Sequence, residues 1–219
     1  MPLYALKECG EETLDLKETL KYYFGYDSLR PGQQELMEGI LQGKDVLGIM
    51  PTGAGKSLCY QVPALMLDGI TLVISPLISL MSDQVKALNQ AGVHAAYINS
   101  SLTENQIRTA LSYAANGRYK IIYVAPERLN TMRFLDFACH ANISMVTVDE
   151  AHCISQWGQD FRPSYLEIAG FLAKLPERPI VSAFTATATE RVKQDITGSL
   201  HLQNPVTVVT GFDRPNLFF

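Results

Sequence analysis

The chain has 219 residues, of which 47% are hydrophobic and 18% charged, and its 22 acidic and 18 basic side chains leave a formal net charge of −4. This length fits one large domain, or one domain with an added segment, and can bury enough surface to fold without disulfides or a structural metal. The composition excludes a disordered chain, a collagen-like rod and a coiled coil. Because the net charge gives no general affinity for nucleic acids, any site for a polyanion has to be local.

Neither a signal peptide nor a membrane span is predicted. The first 13 residues lack a basic stretch that leads into an apolar run. The longest stretch without a charged residue or a histidine, 69–82, contains Pro76 and is shorter than the roughly 20 residues that a membrane helix requires. The four cysteines are widely spaced, which predicts reduced thiols and argues against a zinc site. We therefore expect a protein that is neither secreted nor bound to a membrane.

Short apolar stretches rich in β-branched residues alternate along the chain with longer segments of helical periodicity. Seven of these stretches are predicted as strands, at residues 45–50, 71–75, 95–99, 120–125, 144–149, 179–185 and 206–209. Residues 145–148 are apolar on both faces, as a strand needs to be in a parallel sheet covered by helices. The alternation predicts an α/β fold of right-handed βαβ units, with about seven mostly parallel strands and helices on both faces of the sheet.

Two segments fall outside this alternation. Residues 13–41 are predicted to form two helices, separated at residues 25–28 and resumed near Pro31, a residue suited to a first helical turn. Residues 211–219 are apolar and end in Leu217-Phe218-Phe219, which is typical of an element whose packing partner lies elsewhere. We therefore divide the chain into a helical segment (1–42), a main lobe (43–210) and the start of a linker (211–219).

The first predicted strand leads into a glycine-rich loop, Pro51-Thr52-Gly53-Ala54-Gly55-Lys56-Ser57, and a helix follows. Gly53 and Gly55 permit the backbone to wrap closely around a phosphate in front of a helix N-terminus. Lys56 would then reach the β- and γ-phosphates of a nucleotide, and the Ser57 hydroxyl would coordinate Mg²⁺. Met50 stands where the strict pattern has glycine, but the flanking strand and helix favour a phosphate loop over a simple turn with a surface lysine.

Two adjacent carboxylates, Asp149 and Glu150, end an apolar strand and begin the sequence Asp149-Glu150-Ala151-His152. Ligands of open α/β sheets bind at the carboxyl ends of strands, and carboxylates beside a buried strand are costly unless a cation or a proton transfer uses them. We expect Asp149 to hold Mg²⁺ through water, Glu150 to orient or deprotonate an attacking water, and His152 to connect this site to the next motif.

Together, the glycine-rich loop and the Asp-Glu-Ala-His box resemble the superfamily-two helicases, and longer strings resemble the RecQ family of DNA helicases over about residues 16–219. These strings are Phe24-Gly25-Tyr26, Leu29-Arg30-Pro31-Gly32-Gln33-Gln34, Ser75-Pro76-Leu77-Ile78-Ser79-Leu80-Met81, Asp83-Gln84, Ala125-Pro126-Glu127-Arg128-Leu129, His152-Cys153-Ile154-Ser155-Gln156-Trp157-Gly158, Asp160-Phe161-Arg162-Pro163, Phe184-Thr185-Ala186-Thr187-Ala188-Thr189 and Phe212-Asp213-Arg214-Pro215-Asn216. Ala54 stands where the family usually has another glycine, and Leu29 where phenylalanine is frequent. Neither difference removes a needed side chain.

The resemblance implies a RecA-like P-loop fold that binds ATP and Mg²⁺. It also implies that Tyr26 and Arg30 sandwich the adenine, for which a ring and a guanidinium are both suited. Gln33 would bind the adenine edge, since an amide offers a donor and an acceptor. Thr185 and Thr187 would couple hydrolysis to movement along DNA.

For DNA binding, the resemblance points to an aromatic-rich loop that contains Trp157, Phe161 and Arg162. Trp157 is the sole tryptophan of the chain, and an exposed aromatic beside an arginine suits stacking on single-stranded bases. An alternative is that Trp157 merely holds the loop on the core, and that Ser75 merely caps a helix. Contacts to the strand backbone, which position without reading sequence, are implied for Ser75, Ser79, Gln84 and Arg128.

The resemblance thus implies the first lobe of a DNA helicase that moves 3′ to 5′ on single-stranded DNA, in the cytoplasm of a bacterium or the nucleus of a eukaryote. A second lobe is absent from this chain, so we expect a monomer that binds ATP weakly and unwinds nothing by itself. Three alternatives stay open: a DEAD- or DEAH-type RNA helicase lobe, a nucleotide-binding module without turnover, and a P-loop NTPase acting on another substrate.

Overall fold

The computed structural model describes residues 15–158 and 160–211, which form one sheet of seven strands covered by helices. The strands are β1 (Val46–Ile49), β2 (Ile70–Ile74), β3 (Ala95–Ile98), β4 (Ile121–Val124), β5 (Ile143–Val148), β6 (Ile180–Thr185) and β7 (Val206–Val209). Their order across the sheet is β3-β4-β2-β5-β6-β1-β7, and all neighbours are parallel. The predicted α/β fold is confirmed, and every strand lies within one residue of its predicted bounds.

Eight α-helices are found in the described ranges. They are α1 (Leu16–Phe24), α2 (Gln33–Leu41), α3 (Lys56–Met66), α4 (Ile78–Gln90), α5 (Glu104–Ala115), α6 (Met132–His140), α7 (Ile168–Leu172) and α8 (Glu190–Ser199). Short 3-10 helices occupy Pro126–Arg128, Ala151–Ile154 and Pro163–Glu167. No helix in this part of the chain is long and apolar enough to cross a membrane.

Each face of the sheet has its own hydrophobic core, because successive strand residues point to opposite faces. On one face α1, α2, α3 and α4 pack against strand residues such as Val46 and Phe184. On the other face α5, α6, α7 and α8 pack against residues such as Leu47 and Leu72. Since α1 and α2 share their core with α3, the N-terminal helices belong to the same folded unit as the sheet.

Two helix starts differ from the predictions. α2 begins at Gln33 after Gly32, whose φ is +80°, so Pro31 precedes the helix and is not in its first turn. α4 begins at Ile78 with Leu77 as its N-cap residue, and Ser75 is buried at the end of β2 instead of capping the helix. The predicted linker from residue 212 onward lies outside the described residues.

Asp45, at the start of β1, is buried and joins three segments of the chain. Its carboxylate accepts hydrogen bonds from Nη2 of Arg178 (2.6 Å) and from the backbone N–H groups of Val181 (2.9 Å) and Gln203 (2.7 Å). Arg178 lies just before β6, Val181 lies within it, and Gln203 leads into β7. The carboxylate therefore fixes β1 against both strands that flank it.

We predict that Asp45→Ala lowers the free energy of unfolding by roughly 3 kcal/mol, because it leaves a partly buried guanidinium and two N–H groups without their acceptor. Urea unfolding of the 219-residue chain measures the change. Asp27→Ala is the matched control, since Asp27 pairs with Lys21 on the open surface (2.8 Å) and should change stability little. Equal effects of the two substitutions would contradict the structural role of Asp45.

Candidate active site and nucleic-acid interface

The glycine-rich loop connects β1 to α3 at the carboxyl edge of the sheet. Gly53 and Gly55 have φ values of +83° and +81°, so glycine is required at both positions. Gly55 is the N-cap residue of α3 and no side chain caps this helix, which leaves its N-terminal N–H groups without a side-chain acceptor. Nζ of Lys56 donates to the carbonyl of Met50 (3.1 Å). The loop therefore presents N–H groups and one ammonium group in the arrangement expected of a phosphate site.

The residues predicted to bind adenine hold this loop from the side of α2. The amide of Gln33 is buried and donates to the carbonyls of Ala54 (3.1 Å) and Gly55 (3.2 Å), while its oxygen accepts from the Arg30 N–H (2.8 Å). The Arg30 guanidinium donates to the Gly53 carbonyl. Tyr26 is exposed. With both amide protons used, Gln33 keeps only acceptor capacity here, so it can accept from an adenine amino group but has no proton to give to a ring nitrogen.

Asp149 and Glu150 follow β5 directly, and the turn between them is tightly held. The Asp149 side chain is only 7% exposed, and its Oδ1 accepts from the Glu150 N–H (3.0 Å). Glu150 has a φ of +47°, a strained value for a residue that is not glycine. The buried hydroxyl of Tyr165 donates to the Asp149 carbonyl (2.9 Å). The backbone that carries the acidic pair is therefore fixed from inside the molecule.

The pKa of Asp149 is raised to about 6, chiefly by burial and also by the neighbouring Glu150 carboxylate, against the opposing effects of the Glu150 N–H and Lys56. The glycine-rich loop after β1 and the acidic pair after β5 lie at the same carboxyl edge of the sheet, where β6 separates the two strands. A buried carboxylate whose charge is disfavoured, with no hydrogen bond to Oδ2 from the described residues, is well suited to a cation. The donor set of Asp149 and the Ser57 hydroxyl consists of oxygen atoms, as Mg²⁺ prefers.

The side chains predicted to couple hydrolysis to movement form a connected path. Nδ1 of His152 lies 2.9 Å from Oγ1 of Thr185 and 3.3 Å from Oε2 of Glu150. The Thr185 hydroxyl donates to the Thr187 carbonyl (3.0 Å), so it must accept from His152, which places the imidazole proton on Nδ1. A hydrogen-bonded path therefore leads from the acidic pair on β5 to the segment after β6.

The aromatic loop lies against the backbone of His152. A Cβ atom on Gly158 would lie 2.3 Å from the His152 carbonyl oxygen, so the loop can approach His152 this closely only with glycine. Trp157 is 64% exposed, and its backbone N–H donates to the Ser155 hydroxyl (3.1 Å). Ser155 donates in turn to Asp195 on α8 (2.6 Å). The alternative in which Trp157 holds the loop on the core is wrong, because its side chain is largely in solvent.

Arg162, predicted to contact DNA, is engaged within the protein. Its Nε and Nη2 donate to Oδ2 of Asp160 (3.1 and 2.9 Å), and its Nη1 donates to the Pro76 carbonyl (3.1 Å). Arg162 therefore fixes the aromatic loop to the segment after β2. Phe161, also predicted to contact DNA, is half-buried. A role in binding phosphate would require Arg162 to exchange these partners, and it stays a prediction.

The four residues predicted to contact the DNA backbone are placed differently from one another. Ser79 is exposed. Ser75 is buried, and its hydroxyl has no hydrogen-bond partner among the described residues, so it reaches a strand only if this segment moves. Gln84 accepts from Nε2 of Gln61 (2.8 Å), and Arg128 pairs with Glu104 (3.7 Å). Only Ser79 is therefore open to a strand without a change of partner.

Residues that the sequence did not single out complete the site. Tyr165 fixes the acidic turn, and Asp160 pairs with Arg162. On α8, Arg191 contacts Trp157 and Asp195 contacts Ser155 of the aromatic loop. Asp160 lies in one of the strings that carry the resemblance, but the other three belong to none of them, and their roles depend on packing between segments far apart in sequence. The only signal that could have indicated α8 is its position directly after the Thr185–Thr187 segment.

We predict that the stability of the metal-free chain falls as the pH rises from about 4 to about 6. The folded state binds the Asp149 proton with a pKa of about 6, against an ordinary value of 3.8, so the folded state holds more protons in this range and loses roughly 3 kcal/mol across it. Asp149→Asn should remove this fall. Urea unfolding in EDTA at pH 4 to 8 measures the free energy of unfolding of the wild type and of Asp149→Asn, with Asp27→Asn as control. If the free energy of unfolding changed with pH in the same way in the wild type and in Asp149→Asn, the prediction would be contradicted.

Comparison with known proteins agrees with this geometry. Residues 30–196 match the family model for DEAD/DEAH box helicases. The chain is 50% identical over 201 residues to the ATP-dependent DNA helicase RecQ of Bacillus subtilis, covering 91% of this chain and 34% of the relative. It is 44% identical over 209 residues to a putative ATP-dependent RNA helicase of Acanthamoeba polyphaga mimivirus, covering 93% of this chain and 37% of that protein.

Solved structures support the fold alone. The helicase MrfA bound to DNA superimposes with a TM-score of 0.69 at 18% identity, covering 91% of this chain and 30% of that one. The chain spans about a third of the length of the curated relatives it matches. Half of the aligned residues are identical to those of a RecQ protein, and because a family model covers most of its length, the chain belongs to the DEAD/DEAH box helicases.

Proposed function

We propose that the chain is the ATP-binding lobe of a RecQ-type DNA helicase, which couples hydrolysis of ATP to 3′-to-5′ movement on single-stranded DNA. One observation carries this proposal: the acidic pair, His152, Thr185 and the aromatic loop are in continuous contact at one edge of the sheet. A nucleotide site alone would not need an exposed tryptophan in the loop that contacts His152. A loop that senses a DNA strand would need such an exposed aromatic side chain.

The residues around the acidic pair divide the chemistry between them. Lys56 and the N-terminus of α3 bind the phosphates, which requires Lys56 to exchange the Met50 carbonyl for a phosphate oxygen. Ser57 and Asp149 hold Mg²⁺, which neutralises charge on the phosphates when it is bound. Glu150 orients the attacking water, and the strained backbone at this residue is supported by the Tyr165 hydroxyl at the preceding carbonyl.

His152 reports the state of Glu150 to β6 and the aromatic loop. Its single Nδ1 proton is shared between Oε2 of Glu150 and Oγ1 of Thr185, so a stronger bond to one weakens the bond to the other. Any movement of Glu150 toward a water therefore changes the bond to Thr185, and through it the segment that precedes α8. This arrangement needs no large rearrangement of the core.

A second lobe would complete the enzyme. The matched relatives are about three times as long as this chain, and closure of another lobe on the nucleotide would supply the remaining charge for the transition state. We propose that the chain alone binds ATP weakly and does not unwind DNA. Its net charge of −4 fits this role, since most of the cationic contacts to DNA would then come from the rest of the helicase.

The test is the ATPase rate of the complete helicase with single-stranded DNA, with RNA and with neither. We expect stimulation of at least about tenfold by DNA and less by RNA. Trp157→Ala should keep the unstimulated rate and lose the stimulation, because the loop no longer senses the strand. Glu150→Gln should abolish turnover and retain ATP binding.

Two other results would each favour a different function. Stimulation by RNA above DNA would identify an RNA helicase, as the name of the mimivirus relative suggests for that protein. An unchanged rate in Glu150→Gln would contradict the catalytic role of Glu150 and favour a nucleotide-binding module.

A further inference from the structure

Arg191, in the first turn of α8, lies over the indole of Trp157. Its Cζ atom is 3.9 Å from the ring centroid, within the range of a cation–π contact. Although the guanidinium covers one face of the ring, Trp157 remains 64% exposed. The opposite face of the indole is therefore open to solvent, where a nucleic-acid base could stack.

The charge of Arg191 is not neutralised by the protein. In residues 15–158 and 160–211 it makes no ion pair, whereas its neighbour Lys193 pairs with Glu190 (3.6 Å). The other arginine near the aromatic loop, Arg162, is neutralised by Asp160 (2.9 Å). Of these two arginines, Arg191 is thus the one with charge available for a phosphate.

α8 holds Arg191 in a fixed position relative to the loop. The helix is capped by Thr189, whose hydroxyl accepts from the Val192 N–H (3.3 Å), and Val192 and Ile196 are buried on the sheet. One turn further on, Asp195 accepts the Ser155 hydroxyl (2.6 Å). The aromatic loop therefore contacts α8 at two points, through Trp157 and through Ser155.

We propose that Arg191 and Trp157 form one nucleotide-binding unit, in which a base stacks on the open face of Trp157 and Arg191 binds the adjacent backbone phosphate. A guanidinium can stack on an aromatic ring and donate from its edge at the same time, which an ammonium group cannot do. This inference rests on the proposed function, since it assigns a further contact to the same DNA site. It also makes α8, which follows Thr185 and Thr187, part of the DNA interface.

The salt dependence of DNA binding by the complete helicase tests this unit. Anisotropy of a fluorescein-labelled oligothymidylate, without nucleotide, gives the affinity at several NaCl concentrations. Arg191→Ala should weaken binding about fivefold to tenfold and reduce the slope of log K against log salt by about 0.7, the amount for one phosphate contact on a single strand. Arg191→Lys should keep the slope and lose part of the affinity. Lys193→Ala, on the same helix but paired with Glu190, is the matched control and should change neither.

An unchanged slope in Arg191→Ala, or tighter binding, would overturn the proposal. If Trp157→Ala still weakened binding in that case, the proposed role of the aromatic loop in DNA binding would survive. If Trp157→Ala also binds normally, the proposed DNA site itself fails. Because Trp157 is the sole tryptophan of the 219-residue chain, its emission reports the contact directly. Arg191→Ala should change the emission and leave the urea midpoint unchanged; a lower midpoint would assign Arg191 a structural role instead.

Discussion

All seven strands of the sheet run in the same direction, so each strand delivers the segment that follows it to one edge of the molecule. Parallel strands of this kind are buried on both faces, which places helices above and below and leaves that edge as the place where polar side chains can gather. The glycine-rich loop after β1, the acidic pair after β5 and Thr185 at the end of β6 meet there for this reason. The common direction of the strands, more than any single contact, therefore brings these groups close together.

At this edge lie two adjacent carboxylates and one ammonium group whose charges the described residues do not fully neutralise. Asp149 is buried beside a second carboxylate, at a pKa of about 6, and Lys56 rests on a backbone carbonyl. Gln33 and Arg30 meanwhile hold the loop carbonyls. A divalent cation would compensate the two carboxylates, and a phosphate would accept a hydrogen bond from Lys56. Such ligands would account for a buried aspartate and a residue at positive φ in the same turn.

The strands and the two motifs of the proposed nucleotide site could be predicted from the sequence because each is a local pattern: a run that is apolar on both faces, or a loop between a strand and a helix. The side-chain contacts of the proposed nucleic-acid interface could be predicted only in part. Arg162 has the expected position in the chain, but its partner Pro76 comes from another segment, and the cation beside Trp157 is Arg191 on a later helix. Likewise, Ser75 is next to a proline that suggests a cap, yet the path of the chain buries it. Such contacts follow from the packing of distant segments, which no local pattern encodes.

The central claim is that the phosphate loop and the acidic pair form one Mg²⁺-dependent site for ATP. Calorimetric titration with a non-hydrolysable ATP analogue, with and without Mg²⁺, tests it most directly in the wild type and in Lys56→Ala, with the exposed Lys44→Ala as control. We expect binding that needs Mg²⁺, is lost in Lys56→Ala and is kept in Lys44→Ala. Wild-type affinity in Lys56→Ala, or binding that is indifferent to Mg²⁺, would contradict it.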